Sequence, residues 1–291
     1  MTPAQVLTFL HSSSGTADWT LALVSSASGS TPRKPGALMA IADSGAHFGS
    51  IGGGRGEAQM LAAVASDKAL VELKIDLRGG EHSLGICGGQ MHITFARPGT
   101  GLREQVLQRL NRGEFVAAEV LGFLESPGVL LSPPQTLVIA GGGHCGAALA
   151  QLAVTLGYRV ICQDDRTADL NLPPQSLRCS SWAQVLALLD GQIRPCAVLL
   201  TRNDTHDVEA LHALQTWGSS RTGFDAERWA NPFGYIGMMG SQRRIRAVQA
   251  QLAFSLANIN APVGLDIGAE TPSEIAVSIC AALIAAGRRQ A

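Results

Sequence analysis

The stretch Leu137-Val138-Ile139-Ala140-Gly141-Gly142-Gly143-His144-Cys145-Gly146 restricts the fold more than any other part of the chain. A short apolar run leads into GxGxxG, with Gly141, Gly143 and Gly146 in the three glycine places, and helix-forming residues follow to position 156. That order predicts strand, tight turn and helix. The first glycine turns the chain, the second lets backbone touch phosphate, and the third lets helix pack on strand. The helix start offers unpaired N–H groups to an anion. Asp164 stands 23 residues after Gly141, at the end of the next expected strand, 158–163. A carboxylate there can accept ribose hydroxyls. Asp164-Asp165-Arg166 is equally compatible with a solvated turn. His144, inside the loop, is either a ligand contact or a polar residue near a helix start. Cys145 is expected to be a small packing residue.

The chain beyond this point alternates. Strands are predicted at 136–140, 158–163, 197–201 and 235–238, and helices at 182–189, 208–217, 242–252 and 271–288. Such alternation implies a mostly parallel sheet covered on both faces. His206-Asp207 follows Thr201-Arg202-Asn203 at a strand's C-terminal end, where α/β ligands bind, so His206 is a site candidate as well as an ordinary helix residue. Gly240 and Ser241 precede a helix whose first turn carries Arg243 and Arg244. Basic residues there oppose the helix dipole, a conflict that an anionic ligand would resolve. The other resolution is a pairing of one arginine with a distant carboxylate. Thr271-Pro272-Ser273-Glu274 is a capping box with proline at the first helical position and needs no function.

The first hundred residues lack this alternation. Strands are predicted at 19–26, 37–42, 47–51, 70–77 and 91–96, with a helix at 57–65. The 33 glycines among 291 residues exceed the usual share of about 7%. They are clustered, as where backbone must approach a partner closely. Gly52, Gly53 and Gly54 can form a concave nest of N–H groups for an oxyanion, and Arg55 adds a forked donor. Ser30 and Arg33, in Gly29-Ser30-Thr31-Pro32-Arg33, can meet an anion or remain a turn. Cys87 lies before Gly88 and Gly89. Neighbouring N–H groups there can lower a thiol pKa, and a thiolate suits a soft metal or sulfur transfer. A buried small hydrophobe is the other outcome. Between 101 and 135 the signal weakens. The fold class is thus α/β: an N-terminal mixed α/β domain (1–100), a linker region (101–135) and a C-terminal Rossmann-like parallel-sheet domain (136–291).

Composition removes several function classes. The formal net charge is −1, from 22 basic and 23 acidic residues, which argues against a grip on nucleic acid. No basic run marks a membrane surface, the N-terminus lacks a signal-peptide pattern, and the longest apolar stretch, 275–286, is too short to span a bilayer. A cytoplasmic location is expected. The six cysteines form no CxxC pair, so a closed zinc site is not expected.

Together, GSTPR (29–33), PGALM (35–39), GSIGGGRGE (49–57), CGG (87–89), GGGHCG (141–146), DDR (164–166), TRNDTHD (201–207), YIGMMGSQRR (235–244) and APVGLDIGAETPSEIAVSI (261–279) resemble the XdhC/CoxI family of xanthine dehydrogenase accessory proteins. The resemblance implies binding of the molybdenum cofactor (molybdopterin), support of its sulfuration, and delivery to apo-xanthine dehydrogenase or a related molybdenum hydroxylase. It implies a homodimer that also meets a cysteine desulfurase. It makes Cys87, as a sulfur or molybdenum contact, and Gly52 to Gly54 the leading candidates. Gly56 stands where the family often has a bulky apolar residue, and Cys145 where it often has valine. The cysteine that CoxI-type members carry near Arg55 is lacking, which points to the xanthine dehydrogenase branch. Amide nests suit the cofactor's phosphate, carboxylates such as Asp164 its pterin N–H groups, and a thiol its metal end. Such a site is expected between the domains. Two other functions use the same loop: an NAD(P)-dependent oxidoreductase, and a nucleotide-sensing interaction protein without catalysis.

Overall fold

In the computed structural model the chain divides into two units, Met1–Pro134 and Gln135–Ala291, each with its own core. The structure describes residues 1–13, 18–67, 69–79, 83–85, 87–166, 170–221, 233–257 and 259–288. Residues 80–82 and 86, in the glycine-containing stretch around Cys87, lie outside the described residues.

The first unit runs α1 (Pro3–Ser12), β1 (Trp19–Ser28), β2 (Leu38–Ala42), β3 (His47–Gly49), α2 (Gly54–Ser66), β4 (Glu72–Asp76), β5 (Gln90–Ala96), α3 (Thr100–Asn111), β6 (Val116–Ala117), a 3-10 turn (Ala118–Leu121) and β7 (Leu130–Leu131). Its main sheet is antiparallel throughout, in the order β3-β2-β1-β5-β4. The period-2 alternation of strand side chains builds two cores from one strand. Leu21 and Leu23 of β1 pack with α1 and α3, whereas Ala22 and Val24 face Met60 and Val64 of α2.

The segment expected to be a linker is part of this unit. Val106, Leu107 and Leu110 of α3, with Val116, Leu121, Phe123 and Leu131, are buried in the α1–α3 core. Helix α1 was not predicted. Thr2 caps it, its hydroxyl accepting from the Gln5 N–H while Gln5 Oε1 accepts from the Thr2 N–H, and proline stands in its first turn.

The second unit runs β8 (Thr136–Ala140), α4 (His144–Thr155), β9 (Arg159–Gln163), β10 (Leu177–Cys179), α5 (Trp182–Leu189), β11 (Cys196–Leu199), α6 (Asp204–Ser219), β12 (Tyr235–Met238), α7 (Gln242–Gln249) and α8 (Pro272–Arg288). The five strands are parallel in the order β10-β9-β8-β11-β12. Leu137, Ile139, Val160 and Val198 pack on α4 and α8, while Val138, Ala140, Ile161 and Ala197 pack on α5, α6 and α7. Both faces are covered, as the unbroken apolar strands require. Cys162, Cys196 and Cys280 are buried, as expected of cysteines in apolar runs, and Cys179 joins them on β10. The chain builds outward from β8 in one direction and then returns to its other side, so a topological switch point lies beside β8. No helix among the described residues is long and apolar enough to cross a membrane.

Candidate functional site

The glycine loop after β8 has the geometry its spacing predicts. Gly141 adopts φ 104°, and a Cβ there would stand 2.5 Å from the Leu200 carbonyl oxygen. A Cβ on Gly146 would strike the Gly141 carbonyl, so only glycine lets α4 start this close to β8. Gly143 caps α4 with φ −67° and open space around it.

Asp164 occupies the expected place after β9, but its carboxylate is already engaged. Gly142 N–H donates to Oδ2 at 2.7 Å, and the Arg166 guanidinium grips both oxygens, Nε to Oδ1 at 2.8 Å and Nη2 to Oδ2 at 2.6 Å. The Arg166 backbone N–H adds a bond to Oδ1 at 3.0 Å. Burial alone would raise the Asp164 pKa. The Arg166 guanidinium and the two N–H groups outweigh it and hold the carboxyl well below the usual range. The acceptor expected for ribose or pterin groups is therefore not on offer. What faces outward is Arg166, whose side chain is 39% exposed.

A second arginine bridges the loops that follow β9 and β11. Arg202 Nη2 donates to Asp165 Oδ1 at 2.9 Å and Oδ2 at 3.0 Å, and Arg202 Nε donates to His206 Nε2 at 3.0 Å. These residues, with Gly141, Gly143, Asp164 and Arg166, enclose a crevice of about 110 Å³ at the switch point. A larger hollow, of about 790 Å³, shares Gly143 and Arg166 with it. His144, Gln151 and Asn171 are polar members of its lining, and Ala147, Ala148, Leu152 and Val277 add apolar surface. Small-molecule sites commonly have about 300–1,000 Å³. Arg202 was not singled out from the sequence as a site residue, although it follows a predicted strand end, whereas Asp165 belongs to the Asp164-Asp165-Arg166 turn for which binding and a solvated turn were both open.

The basic first turn of α7 resolves its conflict inside the chain. Ser241 caps the helix, accepting from the Arg244 N–H at 3.3 Å. Arg244 Nη2 meets Oδ2 of the fully buried Asp207 at 2.6 Å and also donates to Thr201 Oγ1 and to the carbonyls of Thr201 and Asn203. Burial pushes the Asp207 carboxyl up, against the Thr201 hydroxyl and Arg244, which draw it down. Gly240 lies against the Arg244 side chain, and Arg243 is exposed. None of Gly240, Ser241 and Arg243 lines either hollow.

In the first unit three of the singled-out loops converge. A Cβ on Gly29 would stand 2.6 Å from the Gly88 carbonyl, one on Gly89 would strike the Ser30 carbonyl, and one on Gly52 would strike the Pro32 ring. Ser30, Arg33, Gly52 to Gly54, Arg55 and Gly88 to Gly89 thus belong to one loop cluster, and Cys87 is exposed on it. Gly52, Gly53 and Gly54 all have positive φ, which three side-chain-bearing residues would resist. Their nest already holds an anion from within. Glu57 accepts from Ser50 Oγ at 2.6 Å, Ile51 N–H at 3.0 Å and Gly53 N–H at 3.1 Å.

The other thiols are shielded. Burial raises the Cys145 pKa, pushes Cys162 and Cys196 up to about 12, and Cys280 to about 11. Among the described residues no three His, Cys, Asp or Glu side chains gather as a metal cage.

Comparison with known proteins agrees with this two-unit architecture. The chain is 29% identical over 274 residues to the uncharacterised protein YqeB of Escherichia coli (strain K12), covering 88% of this chain and 41% of that protein. It is 29% identical over 165 residues to a probable xanthine dehydrogenase subunit of Bacillus subtilis (strain 168), covering 55% of this chain and 46% of that one. The chain therefore spans less than half the length of both relatives. The crystal structure of a xanthine dehydrogenase from Bacillus halodurans shares the fold, with a TM-score of 0.73 at 20% identity over 100% of this chain and 97% of that one. Residues 137–283 match the XdhC Rossmann domain and residues 15–69 the XdhC and CoxI family. With half its length matched by the first and the start of its N-terminal unit by the second, the chain belongs to the XdhC and CoxI family.

Proposed function

We propose that this chain is a xanthine dehydrogenase accessory protein that binds the molybdenum cofactor, supports its sulfuration and delivers it to the apo-hydroxylase. The observation that carries this is the hollow beside the glycine loop in a chain of this family. Its volume and lining suit a flat pterin with a phosphate: Gly143, His144 and Arg166 offer donors, and Ala147, Ala148, Leu152 and Val277 of α4 and α8 offer apolar surface. When bound, the cofactor supplies the molybdenum centre that the hydroxylase needs.

The residues of this chain would bind, orient and shield that group. Arg166, His144 and the amides at the start of α4 would hold its anionic end. In the first unit, exposed Cys87 would offer a soft sulfur ligand among glycine loops, the place where a cysteine desulfurase would deliver sulfur. The family resemblance supports homodimerisation and xanthine dehydrogenase as the client.

An NAD(P)-dependent oxidoreductase is the second function to consider, because the Gly141–Gly146 geometry serves any nucleotide. The engaged Asp164 carboxylate weighs against NAD, and the Cys87 loop cluster has no part in it. Purification from a cofactor-producing host, followed by assay of pterin, molybdenum and nicotinamide, separates the two. We expect pterin and molybdenum together, without nicotinamide. A preparation that retains neither, while Cys87→Ala still activates the hydroxylase normally, overturns the carrier function.

A further inference from the structure

The second unit departs from the usual dinucleotide site at the end of its second strand. A carboxylate has about four lone-pair sites. Asp164 fills all of them from within the chain, with Gly142 N–H and Arg166 Nη2 on Oδ2, and Arg166 Nε and N–H on Oδ1. The residue is only 5% exposed, so a ribose diol finds no acceptor there unless it breaks a charge-assisted pair.

The outward edge has the opposite character. A guanidinium carries five N–H donors and no acceptor. Nε and Nη2 of Arg166 turn to Asp164, and the residue lines both the crevice and the larger hollow. A Cβ on Gly143 would lie 3.9 Å from Arg166 Nη2, which sets the guanidinium beside the open amide end of α4. An anion resting on that helix start is within reach of Arg166. The arginine is also held in place: its own N–H is bonded to Asp164, and Arg178 donates to its carbonyl. The neighbouring negative charge, Asp165, is paired with Arg202 at 2.9 Å and so does little to repel an anion.

We propose that this edge recognises a phosphate rather than a sugar diol, with Arg166 as the donor and Asp164 as the positioning residue behind it. The ligand class follows: a heterocycle bearing a phosphomonoester or diphosphate that reaches Arg166. The phosphate end of the molybdenum cofactor belongs to this class, and so does a dinucleotide with a 2′-phosphate, whereas its unphosphorylated counterpart does not. This rests on taking the glycine-loop crevice as the ligand site.

The test uses the full chain and two probes that differ by one group, adenosine 2′,5′-bisphosphate and adenosine 5′-monophosphate, with affinity measured by calorimetry. The bisphosphate should bind roughly tenfold tighter, the factor expected for one charged hydrogen-bonded contact. Arg166→Ala should erase the preference by weakening the bisphosphate much more than the monophosphate. Arg166→Lys, which keeps the charge and loses the fork, should retain part of it. Asp164→Asn should shrink the preference without abolishing monophosphate binding, because the arginine is then less firmly aimed. Equal or reversed affinities in the wild-type chain, no binding of either probe, or an Arg166→Ala variant weakened equally for both probes would overturn the proposal. Pterin retention without phosphate preference refutes this inference and leaves the carrier function standing. The preference without pterin retention does the reverse.

Discussion

Arg244 on α7 and Asp207 on α6 lie 37 residues apart in sequence and meet at 2.6 Å, with the aspartate wholly buried. Removing the arginine leaves an uncompensated charge inside the second unit. Arg244→Ala should destabilise that unit by about 3 kcal/mol, as loss of one partner of a buried pair does. Arg244→Lys should recover only part, because the side chain also serves Thr201 and Asn203 through a planar fork. Urea unfolding followed by tryptophan fluorescence measures this; a loss under about 1 kcal/mol would show the pair to be dispensable.

Two glycines of one motif should respond differently to the same methyl group. Gly146→Ala forces α4 away from the Gly141 carbonyl and should prevent stable folding of the second unit. Gly143→Ala meets nothing closer than 3.9 Å at an ordinary backbone angle, so the protein should fold normally. Thermal unfolding of the two variants side by side tests this, and equal melting temperatures would contradict it.

Glu57 should make the first unit acid-sensitive. Burial acts to raise its pKa, but the Ser50 hydroxyl and the N–H groups of Gly53 and Ile51 outweigh it, so the folded value is depressed below 4.5. A depressed carboxyl contributes stability in full above its ordinary pKa and loses that contribution as the pH falls through the folded value. Melting temperatures followed from about pH 6 to about pH 3 should fall less steeply in Glu57→Gln than in the wild type, from a lower starting point. Parallel curves would count against an ionised Glu57 in the glycine nest.

Thiol chemistry should single out Cys87. It is exposed, whereas Cys162, Cys179, Cys196 and Cys280 are buried and Cys145 is half-buried with a raised pKa. Brief treatment of the native chain with iodoacetamide should label Cys87 first, and peptide mass mapping locates the adduct. Early labelling of Cys162 or Cys196 would mean that the core opens more readily than its packing implies.

The sequence revealed most where a pattern was local. The predicted spans of β8, α5 and β12 agree with the structure residue for residue, because short apolar runs and clean helix starts need no distant partner. The parallel sheet followed from alternation alone. Helix α1 was missed although Thr2-Pro3-Ala4-Gln5 uses the same capping grammar that marked Thr271 to Glu274. Strand β10 has three residues, two of them exposed, and leaves no periodic trace. In the crevice, the glycines were legible because a tight turn demands them. The fate of Asp164 was not, because a carboxylate's partners depend on side-chain direction. Nothing in the sequence says that the Arg166 guanidinium grips Asp164 with Nε and Nη2 while its side chain stays 39% exposed.

The Arg202–Asp165 bridge stands beside the glycine loop with both partners about half exposed, 49% and 51%. Ion pairs so open to water are weak, so the guanidinium can exchange one carboxylate for another anion at little cost. A guest entering this crevice would have to win that contest, and Asp165 would remain at the threshold to reclaim the arginine once the guest departs. Capture and release of an anion are then the same exchange run in opposite directions, with the open bridge as its resting state.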